Sequence, residues 1–267
     1  MEKTIMERLQ EHYDEALEHF PEDRIVGIFL QGSQNYGLQV PGSDVDTKLI
    51  VTPTFEDIAM NRKPVSTTHV RANDEHIDFK DIRLMFQTFR KQNLNFLEIL
   101  FTDYKIINPL YADLWADVEK YREEIAHYNL YFAVKAMKGI ALEKYHAMEH
   151  RYPAKIEIID RMGYDPKQLH HLVRVEDYLK RYIAGESYID CLHPTNPDYL
   201  KGIKLGAYPL EYARELADKT LARIDAMCEP YTKESEFNVS NARVDAILDS
   251  AQHEIMKVAI MEELLHG

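Results

Sequence analysis

Cysteine is nearly absent: Cys191 and Cys228 are the only two in 267 residues. They lie far apart, form no CxxC and match no zinc spacing, which excludes a disulfide framework and a cysteine-built metal knot and leaves two free thiols as the expectation. A basic excess is also lacking. The 45 acidic residues outnumber the 32 basic ones, and the formal charge of −13 excludes a global positive field for wrapping nucleic acid, though not a local basic groove. No apolar run reaches the roughly 18 residues of a membrane span. The stretch Met1 to Phe20 is charged and amphipathic, unlike a signal peptide, so a cytoplasmic protein with no membrane partner is expected. None of the 12 histidines enters an HExxH. The GxxxxGK[ST] loop and the kinase set of glycine loop, HRD and DFG are missing, which excludes zincins, P-loop NTPases and protein kinases. Internal repeats and low-complexity linkers are missing too.

What is there alternates at first and then turns helical. Residues 4–19 carry Ile5, Leu9, Tyr13 and Leu17 on one helical face, and Pro21 follows as a stop. Residues 24–31 and 44–51 read as strands, separated by a turn-rich stretch with three Gly and one Pro. A short helix is expected near Phe55–Met60, then strands at 65–72 and 75–80 joined by the turn signal Asn73-Asp74. From Ile82 onward helices are expected at 81–92, 109–124, 127–149, 166–184, 208–227 and 241–264. The expected layout is a domain of strands and helices over 1–110 and a helical domain over 111–267.

The chemistry concentrates between the first two strands. Gly32 and Ser33 end the first; glycine lets a phosphate approach the backbone, N–H groups opening a helix attract anions, and the serine hydroxyl adds a hydrogen bond. Asp44 and Asp46 stand two apart, so an extended chain turns both carboxylates to one side. Such a pair suits Mg²⁺ (or Mn²⁺), which takes hard oxygen ligands and keeps positions open for phosphate. Two ions about 3.5–4 Å apart would stabilise the attacking and leaving oxygens of an in-line displacement. A third carboxylate is expected on a neighbouring strand. Asp78, facing away from Ile77 and Phe79, is the first candidate; Asp81, which could equally cap the helix from Ile82, is the second.

These residues resemble the signature of the DNA polymerase beta-like nucleotidyltransferase superfamily: an apolar residue, Gly-Ser, a short gap and a doubled acidic motif. GSQNYGLQVPGSDVD, residues 32–46, looks like the form found in a group of predicted bacterial and phage nucleotidyltransferases, some associated with RNA ligases; Tyr36 and Ser43 belong to the match. DIRLMFQTFRKQNLNFLEILF (81–101) resembles that group's following helix and its Asn-x-Asn-x-x-Glu segment, and GYDPKQLHHLVR (163–174) resembles a motif in its helical half. The resemblance implies an α+β chain, with a nucleotidyltransferase fold (a small mixed β-sheet with flanking helices) and a helical C-terminal part. It also implies transfer of NMP from an NTP with Mg²⁺. Two departures are visible. Leu94 stands where Pro is expected between the two Asn residues, and the third acidic position aligns at or near His76 as readily as at Asp78.

In the second motif Asp165 and Pro166 suit a helix N-cap and N1. Lys167, His171 and Arg174 then follow at i, i+4 and i+7, a row fit to clamp phosphate or to lie as a solvated stripe. Asn93, Asn95 and Glu98 are expected to cap and pack a turn. Three acceptors fit the reading: an RNA 3′ end held in a local basic cleft of Arg83, Arg90, Lys91, Lys167 and Arg174, a protein side chain, or a small molecule. The rival class is a non-catalytic nucleotide-binding module.

Overall fold

The computed structural model describes residues 3–266. The chain folds as two compact units, one of Met1–Asn35, Pro41–Tyr128 and Ser240–Gly267, the other of Tyr36–Val40 and Asn129–Val239.

The first unit is built on a five-stranded mixed sheet. Its strands are β1 (Ile25–Gln31), β2 (Asp46–Val51), β3 (Ser66–Val70), β4 (His76–Asp81) and β5 (Lys105–Ile107), in the order β3-β4-β2-β1-β5. β1 runs antiparallel to β2 and β5, β3 antiparallel to β4, and β2 parallel to β4. Helix α1 (Ile5–Ala16) opens with a capping box between Thr4 and Glu7. It buries Leu9, Tyr13 and Ala16 in a cluster with Ile28, Leu49, Val51, Ile77 and Phe79. Each large side chain buried there contributes roughly 1.5–3 kcal/mol. Alternation sends Phe29, Lys48 and Asp78 to the other face, where the Phe29 ring packs 4.8 Å from Trp115. β5 comes so close to β1 that a Cβ on Gly27 would lie 2.9 Å from the carbonyl oxygen of Ile106.

Helices α2 (Phe55–Ala59), α3 (Ile82–Arg90), α4 (Leu94–Leu97), α5 (Ala112–Lys120) and α6 (Arg122–Ala126) also belong to the first unit. The second unit holds α7 (Leu130–Ala147), α8 (Ile156–Met162), α9 (Pro166–Ile183), α10 (Tyr188–Leu192), α11 (Pro197–Lys204), α12 (Leu210–Cys228) and α13 (Glu234–Phe237). α9 is its centre, packing against α7, α11 and α12. Asp165 caps it, accepting from the Lys167 N–H at 2.9 Å, with Pro166 at N1. Cys191 and Cys228 are both free and buried.

The last helix, α14 (Ala242–His266), returns to the first unit. It buries Val244, Leu248, Ile255 and Ala259. Its Asp245 accepts from Arg90 Nε and from the Tyr128 hydroxyl, both at 2.9 Å. The units therefore do not part at residue 110: α5, α6 and α14 go with the sheet, and residues 36–40 go with the helical unit. None of the described helices is long and apolar enough to cross a membrane.

Candidate active site

Strand register assembles the site. Gln31, the last residue of β1, pairs with Asp46, the first of β2. Gly32-Ser33 and Asp44-Val45 therefore leave the sheet side by side at one end. Gly32 has φ +96°, a left-handed conformation that favours glycine, and space lies open around its Cα. A four-residue 3₁₀ turn, Ser33–Tyr36, follows. The sequence leads one to expect a helix start that binds anions; a single turn has little dipole, and the Gly32 N–H already donates to Glu98 Oε1 at 2.9 Å. Ser33 is half-buried, as is Ser43 ahead of Asp44.

Asp44 precedes β2 rather than lying in it. The chain alternates there nonetheless: Val45 is buried, Asp44 exposed and Asp46 half-buried, so both carboxylates avoid the core side. On the β4 side the residue that meets the Asp46 carboxylate is His76, not Asp78. The His76 backbone N–H donates to Asp46 Oδ1 at 3.0 Å, and ring Nδ1 lies 3.1 Å from the same oxygen. Since a carboxylate oxygen only accepts, Nδ1 carries the proton in that contact.

Asp78 faces as expected but sits one step further along, opposite Lys48. Lys48 Nζ donates to Asp78 Oδ2 at 2.9 Å and lies over the Phe96 ring at 3.9 Å; Thr68 Oγ1 donates to Asp78 Oδ1 at 2.6 Å. Burial pushes the Asp78 carboxyl upward, but Lys48 and Thr68 outweigh it and hold it below the usual range. Asp81 is the N-cap of α3, accepting from Arg83 N–H and gripped by the Arg83 guanidinium at 2.9 and 2.6 Å. Among the described residues no three His, Cys, Asp or Glu side chains cluster to hold a metal ion.

Beneath Val45 lies a buried polar network that sequence reasoning missed. Glu75 Oε1 accepts from the Val45 N–H at 3.1 Å and pairs with Arg8. Its Oε2 takes His12 Nε2 and Arg71 Nη1, both at 3.0 Å. Nε2 must therefore bear the His12 proton, and Nδ1 accepts from the Thr47 hydroxyl at 2.9 Å. Burial, with Arg71 adding to it, lowers the His12 pKa to about 4. Burial also lowers that of His170 in the second unit to about 4, where Nδ1–H donates to the Leu200 carbonyl.

The row Lys167, His171, Arg174 runs from exposed to buried along α9. Burial drives the His171 pKa well below 6.5, so its imidazole is neutral. The Arg174 guanidinium lies 3.5 Å over the Tyr36 ring and donates to the Tyr36 hydroxyl at 2.9 Å, while its buried Nε and Nη2 have no hydrogen-bond partner among the described residues. Tyr36 and Arg174 are thus each other's partners inside the second unit. Of the cations expected to line a basic cleft, Arg83 is held by Asp81, and Arg90 by Asp245 and Asp249.

His12 in the first unit and His170 in the second make each unit acid-sensitive. Their folded pKa lies below the unfolded value of about 6.5, so the unfolded chain binds more protons as pH falls. The stability they contribute is complete above pH 6.5 and is lost from there down to about pH 4, by roughly 1.4 kcal/mol per pH unit for each histidine. Urea melts between pH 8 and 4 should show this slope. His170→Gln should reduce it in the helical unit, where depressed His171 keeps its own share, and an unchanged slope would count against a neutral buried His170.

The sequence does carry a signal for the missed residues. Glu98 interrupts the apolar run Phe96 to Phe101, and a charge in such a run needs a buried partner. No protein-family model matches the chain, and no curated protein does. Among solved structures it is similar to a nucleotidyltransferase-like protein from Exiguobacterium sibiricum 255-15, with 12% identity over 84% of this chain and 75% of that one, at a TM-score of 0.30. At that score the neighbour's function does not transfer.

Proposed function

We propose that the first unit catalyses metal-dependent nucleotidyl transfer from an NTP to an acceptor hydroxyl. The observation that carries this reading is the Gln31–Asp46 pairing, which sets Gly32-Ser33 beside Asp44 and Asp46 at one sheet end. The acceptor oxygen bonds to the α-phosphorus, the bond from that phosphorus to the β-bridging oxygen breaks, pyrophosphate leaves and the hydroxyl proton passes to solvent. Positioning and charge neutralisation supply most of the acceleration in such a reaction.

The residues fit one Mg²⁺ or Mn²⁺. Asp44 and Asp46 offer hard oxygens beyond the core face, and Mg²⁺ is commonly held by one or two carboxylates plus substrate phosphates. When bound, the ion neutralises phosphate charge and polarises a phosphoryl oxygen. A second ion would need Asp78 as a ligand, and Asp78 is committed to Lys48 and Thr68, so the two-ion arrangement expected from the sequence narrows to one. Ser33 donates its hydroxyl to a phosphate oxygen, and His76 orients Asp46. In the second unit Lys167 is the exposed member of its row.

The engaged state of Arg83 and Arg90 favours a small-molecule or protein hydroxyl over an RNA 3′ end as acceptor. The test incubates the protein with each α-³²P-labelled NTP, Mg²⁺ or Mn²⁺, and a lysate resolved into RNA, protein and small molecules. Label entering one fraction, and lost in an Asp44→Ala/Asp46→Ala double variant, is the expected outcome. Label that persists in that variant overturns the reading.

A further inference from the structure

We propose that Glu98, together with Thr102, is a positioning clamp that holds the Gly32–Asn35 loop so that Ser33 is presented to the nucleotide's phosphates; this rests on the nucleotidyl-transfer reading. Glu98 begins a 3₁₀ turn, Glu98–Leu100, and is 3% exposed. Its carboxylate reaches across 66 positions of sequence to accept from the Gly32 N–H at 2.9 Å. Four residues on, buried Thr102 donates its hydroxyl to Asn35 Oδ1 at 2.6 Å, and Asn35 Nδ2 donates to the Leu30 carbonyl at 2.9 Å. One segment thus grips the loop at its first and last residues, with Ser33 between the two grips.

The chemistry explains why a carboxylate stands there. β1 ends at Gln31, so the half-buried Gly32 N–H lies past the strand ladder, and leaving it without an acceptor is costly. A charged acceptor gives a shorter and stronger hydrogen bond than a neutral one. With that N–H taken by Glu98, it is not available to a phosphate, and the loop's contribution passes to Ser33. A carboxylate facing the triphosphate would repel it; buried and turned onto the backbone, it fixes the loop instead.

The test measures Mg²⁺-dependent binding of α,β-methylene NTP, and the KM and kcat of transfer, for wild type, Glu98→Ala, Glu98→Gln, Thr102→Val, Ser33→Ala and the Glu98→Ala/Ser33→Ala pair. Glu98→Ala should weaken analogue binding and raise the KM for NTP at least about tenfold, with a smaller change in kcat. Glu98→Gln keeps an acceptor oxygen and should stay within about threefold of wild type. Because the clamp works through Ser33, the Glu98→Ala effect should largely vanish in the Ser33→Ala background. Wild-type affinity in Glu98→Ala, or an undiminished effect in the Ser33→Ala background, overturns the clamp and leaves the transfer reading standing. A wild-type protein that neither binds the analogue nor transfers label overturns both. Should Glu98→Ala not fold, Thr102→Val decides: weakened binding, by about threefold or more, supports the clamp and unchanged binding overturns it.

Discussion

Asp46→Ala should lower nucleotidyl transfer by about three orders of magnitude while the fold survives. The expected loss follows from the charge removed. Stabilising developing phosphoryl charge with a held cation is worth several kcal/mol, and about 4 kcal/mol corresponds to roughly a thousandfold in rate. The fold survives because Asp46 is half-buried at the first position of β2 and, among the described residues, its side chain holds His76 alone. Losing that contact costs on the order of 1 kcal/mol, a small part of a domain's stability. Asp46→Asn separates charge from shape: it still offers His76 an oxygen but removes the anion. Both variants should lose metal-stimulated transfer to a similar degree, measured as label incorporated against Mg²⁺ concentration with circular dichroism as the fold control. Activity within tenfold of wild type in a folded Asp46→Ala protein would sink the metal-site reading, and full activity in Asp46→Asn would show that no anion is needed there.

Local patterns carried much of the fold. The strands around the Gly-Ser turn, the capped start of α9 at Asp165-Pro166 and the face of α1 follow from alternation, cap chemistry and helical period. Non-local features were not legible. β5 is three residues long, and its place beside β1 depends on the missing Cβ of Gly27. The return of α14 to the first unit brings Asp245 to Arg90 across 155 residues, which no window of sequence displays. Asp78 shows the limit most clearly. Period two gave its face, but a strand pair can slide by two residues without changing any face. The observed register sets Asp78 against Lys48 and leaves His76 beside Asp46. The aspartates and Gly32-Ser33 were recognisable from residue type and order. The backbone N–H groups that Glu75 and Glu98 hold were not, because they lie 30 and 66 residues away.

Glu75→Ala should destabilise the first unit by about 3–5 kcal/mol, the usual cost of removing one partner from a buried ion pair. Glu75 is 1% exposed, and its two oxygens gather the Val45 N–H, Arg8, His12 Nε2 and Arg71. Deleting the carboxylate strands two guanidinium groups near a buried imidazole N–H and a backbone N–H. Arg71 retains Glu15 at 2.6 Å, which softens the loss without replacing the central acceptor. Glu75→Gln keeps the volume and one acceptor, yet turns an NH₂ toward a cluster of donors, so it should fall between alanine and wild type. Urea unfolding checks this, following a probe in the sheet-bearing unit: the midpoint should fall while the slope stays constant. A shift equivalent to less than about 1 kcal/mol in Glu75→Ala would mean that solvent or the arginines themselves absorb the change. The consequence reaches the site because Val45 lies between the two aspartates. Where Glu75→Gln remains folded, its transfer rate should drop further than its stability loss explains, since loosening Val45 moves Asp44 and Asp46 together. Asp46→Ala predicts the opposite pattern, with activity gone and stability nearly intact. Comparing the two variants therefore separates the residue that holds charge from the residue that holds the backbone beneath it.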